Sequence, residues 1–443
     1  MTPVYNSLVR TSTNLLRRSH PVNINTDSKR RQVPDDYLVA GIDPHKKTYT
    51  MVLMTREGKV LTSLKFENSK RGFEHAVKRV DDQIIKSGSK GVIYAMEAGG
   101  HYWRNLAYFL NKRGMWFCLV NPFTAKRLRE GKDINRAKSD MRDARVMAEL
   151  VISNGIPQTN LPQGIYAELR AVYNAYQRLI KERSRIKSRM KSLLDQLFPE
   201  FCQVFDNVCS KTAMQVLGCC LAPVDIARMQ EAQFIACIRK GFTGRALKMQ
   251  SLQKLYQLGK ASIGAEEGAR GIALELRFMT QRLLLLSEQI EQTKNILQDL
   301  LLSIPESRCI LSIQGVGHIA AAGILAETGP LQAYRNAGQL IKLAVTNPTS
   351  WESAGKRHSI THMSKKGRPK LRSCLWIAAI SLLRSNPDFK EWSRIRRERE
   401  LHLHPLKPRE TVGAAANRLL RIIYALVKNG SLYCLPQVNE VLV

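Results

Sequence analysis

The chain has 443 residues, 44% of them hydrophobic, which suits two or three domains with real cores. Its 69 Lys and Arg against 37 Asp and Glu leave a formal net charge of +32, which calls for a polyanionic partner, nucleic acid above all. A membrane-spanning role is excluded by the lack of any run of about 18 uncharged apolar residues, and the basic residues are spread along the chain instead of gathered on one amphipathic segment.

The first 35 residues read as a basic, poorly ordered arm without the apolar stretch of a secretory leader. After Pro34 the pattern turns to β-type runs: "YLVAGID" (37–43), "YTMVLMT" (49–55) and, after the turn "EGK", "VLTSLKF". Three successive runs predict an antiparallel meander. A helix follows over about 70–87, then a strand over 91–96, a helix over about 101–113, a strand "MWFCLVN" (115–121), and basic helical sequence to about 154. This order predicts an α/β domain over 36–155, closer to a ribonuclease-H-like sheet than to a Rossmann sheet, whose strands are nearly all parallel. No GxGxxG follows the first strand.

From 165 to about 198 apolar residues recur every three or four positions, broken at Arg183. A cleaner seam runs through Ile272, Leu276, Met279, Leu283, Leu286, Ile290, Thr293, Leu297 and Leu300, the a/d spacing of a coiled coil. The middle of the chain, 165–302, is therefore expected to be coiled-coil helices around an inserted helical segment, 200–268. A mainly helical C-terminal domain, 303–430, and a tail, 431–443, complete the expected organisation. Within it "ILSIQGVGHIAAAGILAETGPL" has a glycine turn between apolar helices, which fits either a phosphate-gripping helix-hairpin-helix or an ordinary helical corner. The nine cysteines form no CxxC pair and read as reduced thiols of a cytoplasmic protein. His402 and His404 in "LHLHP" read as a surface turn.

A chain short of acids places four of them in telling positions. Asp43 ends the first strand, Glu97 ends a later one, and "KSDMRDARVMAEL" carries Asp140 and Asp143 at i, i+3, on one helical face about 5–6 Å apart at Cβ. Four carboxylates can hold two Mg²⁺ ions roughly 4 Å apart, the arrangement that serves phosphodiester transfer. Each acid also has an ordinary reading: Asp43 as a turn-former before Pro44, Glu97 as the neighbour of a helix start, and Asp140 and Asp143 as partners of Arg136, Arg142 or Arg145. The two glycines after Glu97 suggest room for a nucleic-acid backbone. Lys126, Arg127 and Arg129, and Lys365, Lys366, Arg368, Lys370 and Arg372, form two basic clusters suited to backbone contacts or to solvated faces.

The blocks "GIDPHKKTYTMVL", "AMEAGGHYW", "LVNPFTAKRLRE" and "RAKSDMRDARVMAEL", with "LSIQGVGHIAAAGILAETGPLQAYRNAGQL", "SAGKRH" and "MSKKGRPKLRSCL" downstream, resemble the DEDD transposases of the insertion sequence 110 family. The resemblance covers about 37–200 and 270–430. It implies a RuvC-like, ribonuclease-H-fold N-terminal domain, a coiled-coil middle that makes a homo-oligomer (dimer or tetramer), and a C-terminal transposase domain. It implies that Asp43, Glu97, Asp140 and Asp143 are the metal ligands and catalytic acids of a two-ion Mg²⁺ site. It further implies a nucleophilic serine that forms a phosphoserine–DNA intermediate. Alignment on Gly355, Ser364, Gly367, Leu371 and Arg372 places that serine at Ser353, although the motif reads "ESAGK" and Ser350 and Ser359 lie close by. The implied partners are donor and target DNA and an element-encoded noncoding guide RNA, and the implied location is the prokaryotic cytoplasm, at the nucleoid. Two other readings compete: a RuvC-like structure-specific endonuclease using metal-activated water, and a non-catalytic nucleic-acid-binding assembly protein.

Overall fold

Alternating apolar residues over 37–67 make strands, and their register decides what each face carries. In the computed structural model, which describes residues 31–132, 139–157, 159, 161–240, 248–344, 348–349, 352–353, 356–357, 362–363, 367–398 and 405–435, the chain divides into two compact units at 161/162.

The first unit contains β1 (Tyr37–Pro44), β2 (Thr48–Met54), β3 (Val60–Glu67), α1 (Lys70–Ser87), β4 (Gly91–Glu97), α2 (Trp103–Lys112), β5 (Phe117–Val120), α3 (Pro122–Lys132) and α4 (Asp140–Asn154). The five strands form one mixed sheet in the order β3-β2-β1-β4-β5. The first three are antiparallel, as the meander predicts, and β4 and β5 run parallel to β1. This order of elements is compatible with a ribonuclease-H-like domain.

Period-two alternation sorts the two faces. Leu38, Ala40 and Ile42 of β1, with Tyr94 and Met96 of β4, pack under Phe73 and Val80 of α1 and Leu106 and Leu110 of α2. Val39 of β1 and Ile93 and Ala95 of β4 face the other way, onto Ala144, Met147, Ala148 and Val151 of α4. The same alternation carries Asp43 and Glu97 onto the α4 side, at the C-terminal ends of adjacent parallel strands, where open α/β sheets bind ligands.

The second unit contains α5 (Gly164–Leu197), α6 (Phe201–Val204), α7 (Lys211–Cys219), α8 (Pro223–Ala227), α9 (Glu231–Lys240), α10 (Met249–Lys260), α11 (Ala269–Leu302), α12 (Glu306–Leu311), α13 (His318–Thr328) and α14 (Ala337–Ala344). Four two-residue strands follow, β6 (Pro348–Thr349), β7 (Glu352–Ser353), β8 (Lys356–Arg357) and β9 (His362–Met363), then α15 (Pro369–Ser385), α16 (Pro387–Arg397) and α17 (Pro408–Asn429). The heptad seam closes within the chain. The pairs Arg189–Glu275 and Glu182–Arg282 run in opposite senses along α5 and α11, so the two helices are antiparallel neighbours.

Two cores share this helical pair. Ile186, Met190, Leu194, Leu276 and Leu283 belong with the inserted helices α6 to α10. Leu169, Tyr173, Leu297 and Leu301 belong with the helices from α12 onward. The helical middle thus has no packing boundary at residue 302, because its ends lie in the C-terminal core. The glycine turn of 312–317 joins α12 to α13, and Gly315 takes a φ of +100° there. Among the described residues no helix is long and apolar enough to cross a membrane.

Candidate metal centre

The centre is built by close approach of α4 to β1. An added Cβ at Gly41 would stand 2.0 Å from the Ala144 carbonyl oxygen and 2.6 Å from the Ala148 amide nitrogen. Only a residue without a side chain lets the helix lie this near the strand. Gly41 and Asp43 share a face of β1, and Asp140, Ala144 and Ala148 share a face of α4, so this contact brings the first turn of α4 over the end of β1. Ser139 caps that turn by accepting the Arg142 amide at 3.3 Å. Asp140 and Asp143 therefore lie in the first turn of the helix, at the positive end of its dipole.

The structure brings all four sequence-predicted carboxylates to one place. Asp43 pairs with Thr50 at the lip of the sheet and buries one carboxylate oxygen, Oδ2, which has no hydrogen-bond partner. Burial, with Asp143, Asp140 and Glu97 adding and His45 opposing, pushes its carboxyl up from 3.8 to about 6. Glu97, the last residue of β4, accepts a 2.8 Å hydrogen bond from Arg129, and buried Asp143 accepts one of 3.0 Å from the same guanidinium. Asp140 lies 3.4 Å from His45 Nε2 and 3.8 Å from Lys65 Nζ.

Two members of this group are not read from the sequence as part of it, Arg129 being assigned there to nucleic-acid contact. His45 sits in the β1–β2 turn, 3.8 Å from Asp43 Oδ2, and Asp43, His45 and Asp140 present donor atoms within 4.8 Å of one another. Its signal in the sequence is the "DPHKK" turn itself, two residues beyond the acid. Arg129 stands in the sequence as one of a basic trio, but it faces inward while Lys126 and Arg127 are exposed, Lys126 3.6 Å from Glu130 and Arg127 over the Phe123 ring. Gly99 serves Glu97 directly, since a Cβ there would stand 2.8 Å from Glu97 Oε1, and Gly100 takes a φ of +59°.

A hard divalent cation fits this donor set. The bare, buried Asp43 Oδ2 lacks the partner that a buried carboxylate oxygen normally has, and carboxylate and imidazole neighbours surround it.

The second basic cluster lies in the helical unit. Arg368 is held by the Glu327 carbonyl and faces its carboxylate at 3.9 Å, Lys370 bonds to Asn174, and Arg372 donates to the Ala344 carbonyl at 3.1 Å. Burial, then Arg170, Lys181 and Arg178, weigh on Lys370 and lower its pKa, with Glu327 opposing. Those three cations project from α5, where Lys181 and Arg185 also line an open groove with Ser184 and Ser188. The apolar seam of this helix dominates its sequence pattern, and the basic stripe beside it has no comparable signal. Ser353 lies in β7, paired in register with Lys356 of β8. Ser350, Ser359, Lys365, Lys366, His402 and His404 lie outside the described residues.

Residues 40–199 match a family model described as a transposase of the IS110 DEDD type, and residues 307–394 match that of the transposase IS116/IS110/IS902 family. Together the two cover more than half of the chain. The 44.8 kDa protein of insertion element IS116 from Streptomyces clavuligerus is 22% identical over 410 residues, 90% of this chain and 96% of that protein. The 43.6 kDa protein of insertion element IS110 from Streptomyces coelicolor is 21% identical, over 67% of this chain and 72% of its own. The 42 kDa protein of insertion element IS900 from Mycobacterium paratuberculosis is 22% identical, over 67% and 73%.

Proposed function

Because this chain belongs to the IS110 family of insertion-sequence transposases, enzymes that act on DNA, we propose that it cleaves and exchanges DNA strands with Mg²⁺ at the carboxylate centre and Ser353 as nucleophile. The observation that carries the cation-dependent part is the convergence of Asp43, Glu97, Asp140 and Asp143 around a buried oxygen with no hydrogen-bond partner. Oxygen-rich, carboxylate-dominated donors favour Mg²⁺ over softer metals. When bound, the cation supplies Lewis-acid polarisation of the scissile phosphate and charge for the leaving oxygen.

The chain's own residues do the rest. Asp43 and Asp140 would hold the cation, with His45 as a further donor. Ser353 Oγ attacks phosphorus, an O–P bond forms as the strand's own P–O bond breaks, the serine proton ends on the departing strand oxygen, which leaves as a hydroxyl, and the phosphoserine link keeps the bond energy for rejoining. Support for Ser353 comes from its place in the C-terminal transposase segment and from the β7–β8 pairing, which sets it in register with Lys356. The glycine turn into α13 and the basic residues Lys126, Arg127, Lys365, Lys366, Arg368, Lys370 and Arg372 are assigned to nucleic-acid backbones, and a guide RNA is assigned the reading of sequence, with the +32 charge in support of both.

The test is a covalent protein–DNA adduct. Wild-type chain with Mg²⁺ and element-end DNA is expected to form one, and Ser353→Ala is expected to form none. Asp140→Ala is expected to lose both adduct and nicking. Metal-dependent nicking without an adduct would instead establish the metal-activated-water nuclease. Sequencing of RNA that copurifies with the chain tests the guide, and random cellular fragments would count against it.

A further inference from the structure

The four carboxylates of the metal centre are unequally partnered. Two oxygens, Glu97 Oε2 and Asp143 Oδ1, accept from the two terminal nitrogens of Arg129 at 2.8 and 3.0 Å. The guanidinium is steadied from its own helix, its Nε donating to the Ala125 carbonyl at 3.4 Å. On the other side, Asp43 Oδ2 is buried and bare, and Asp140 meets His45 at 3.4 Å.

Each half follows from electrostatics. The Asp143 side chain is only 8% exposed, and a carboxylate at that depth needs a counter-charge. The planar fork of an arginine can serve two carboxylates at once, which a lysine ammonium does less well. An oxygen engaged by a guanidinium is not free to ligate a metal, and a cation lodged there repels a second one. The charge balance points the same way. Four carboxylates against Arg129 and Lys65, whose ammonium lies 3.8 Å from Asp140, leave two net negative charges; one divalent ion neutralises them, and two would overshoot to a net positive centre.

We propose that Arg129 is a built-in counter-ion for the Glu97–Asp143 half of the centre, so that the folded chain takes one divalent cation at Asp43 and Asp140 and admits a second only when the guanidinium withdraws. The proposal rests on the reading of these carboxylates as cation ligands. It makes α3 a gate: Lys126 and Arg127, exposed on the same helix, would draw it toward an incoming phosphate backbone, coupling arrival of DNA to completion of a two-ion site.

Mn²⁺ titration of the metal-free, full-length chain tests this, with bound ions counted from the loss of the free Mn²⁺ electron paramagnetic resonance signal. Wild type is expected to bind one ion per chain and Arg129→Gln two, the first at least tenfold more tightly. Metal-free Arg129→Gln is expected to melt below wild type and to recover more of its melting temperature on adding Mn²⁺. Equal ion counts in wild type and Arg129→Gln overturn the proposal. A second pair of variants keeps it testable if Arg129→Gln does not fold. Glu97→Gln, at the residue whose Oε2 already accepts from Arg129, is expected to keep one ion within about threefold of wild-type affinity, while Asp140→Asn loses it. Loss of the ion in Glu97→Gln also overturns the proposal. No ion bound by any form sinks the cation reading itself along with it.

Discussion

At Asp43, burial and three neighbouring carboxylates act in one direction and raise the carboxyl to about 6 from 3.8. Between those values the folded chain keeps a proton that the unfolded chain has released. Stability of the metal-free protein therefore falls as pH rises from about 4 to about 6 and stays lower above it, by on the order of 2–3 kcal/mol. Asp43→Asn removes this cost. It is expected to stabilise the metal-free chain by that order at pH 8 and to leave it nearly unchanged at pH 4, measured by denaturant unfolding in a chelator at both pH values. A gain of equal size at both would refute the electrostatic origin. The residue scale is partly legible in the sequence. Acids are few in this chain, so their spacing carries weight, and the four converge as their order along the chain predicts. His45 and Arg129 are not legible as members, because a turn histidine and one arginine of a basic trio have no periodic signature. Their roles arise from where β1 ends and from which way α3 is rolled.

Among the elements, the contact of α4 on β1 decides whether a centre exists at all. Gly41→Ala inserts a methyl 2.0 Å from a helix carbonyl, which backbone must move to relieve. Overpacking of this kind costs about 1–3 kcal/mol. A shift of about 1 Å in the first turn of α4 would reduce strand cleavage about 10²-fold. Both are measurable, by melting temperature and by nicking rate, and an unchanged rate would mean that the helix does not set the carboxylate geometry. The long helices show a different division between pattern and packing. Their a/d seam is readable, but a seam does not say which helix fills it. Here α5 and α11 fill each other's, which leaves Leu274, Phe278, Leu285 and Ile296 exposed on the opposite side of α11. Association of copies through these helices would use that outer stripe. Phe278→Glu with Leu285→Glu is expected to lower the mass measured by light scattering to that of a monomer without lowering the melting temperature. An unchanged mass would place any oligomer interface elsewhere.

Over the whole molecule, the charge of +32 is a statement about partners, and the folded units distribute it. In the helical unit Arg178 and Lys181 lie near Lys370, and Lys181 and Arg185 line the groove along α5. Replacing Arg178, Lys181 and Arg185 by Gln is expected to reduce the slope of log affinity against log salt for DNA by about 2–3, at roughly 0.7–0.9 for each phosphate that is no longer neutralised. An unchanged slope would show that this stripe is a solvated face. The sequence by itself determined the polyanionic partner class and the α/β unit followed by helices, because composition and period are local properties of the chain, while its motifs carried the resemblance to the family and, through it, the reading of the four acids. Tertiary structure decided that α11 pairs with α5 in the same chain, that Arg129 turns into the carboxylates, and that Gly41 lets α4 reach β1. Each of these depends on which surfaces meet, and distances between residues remote in sequence are set by packing.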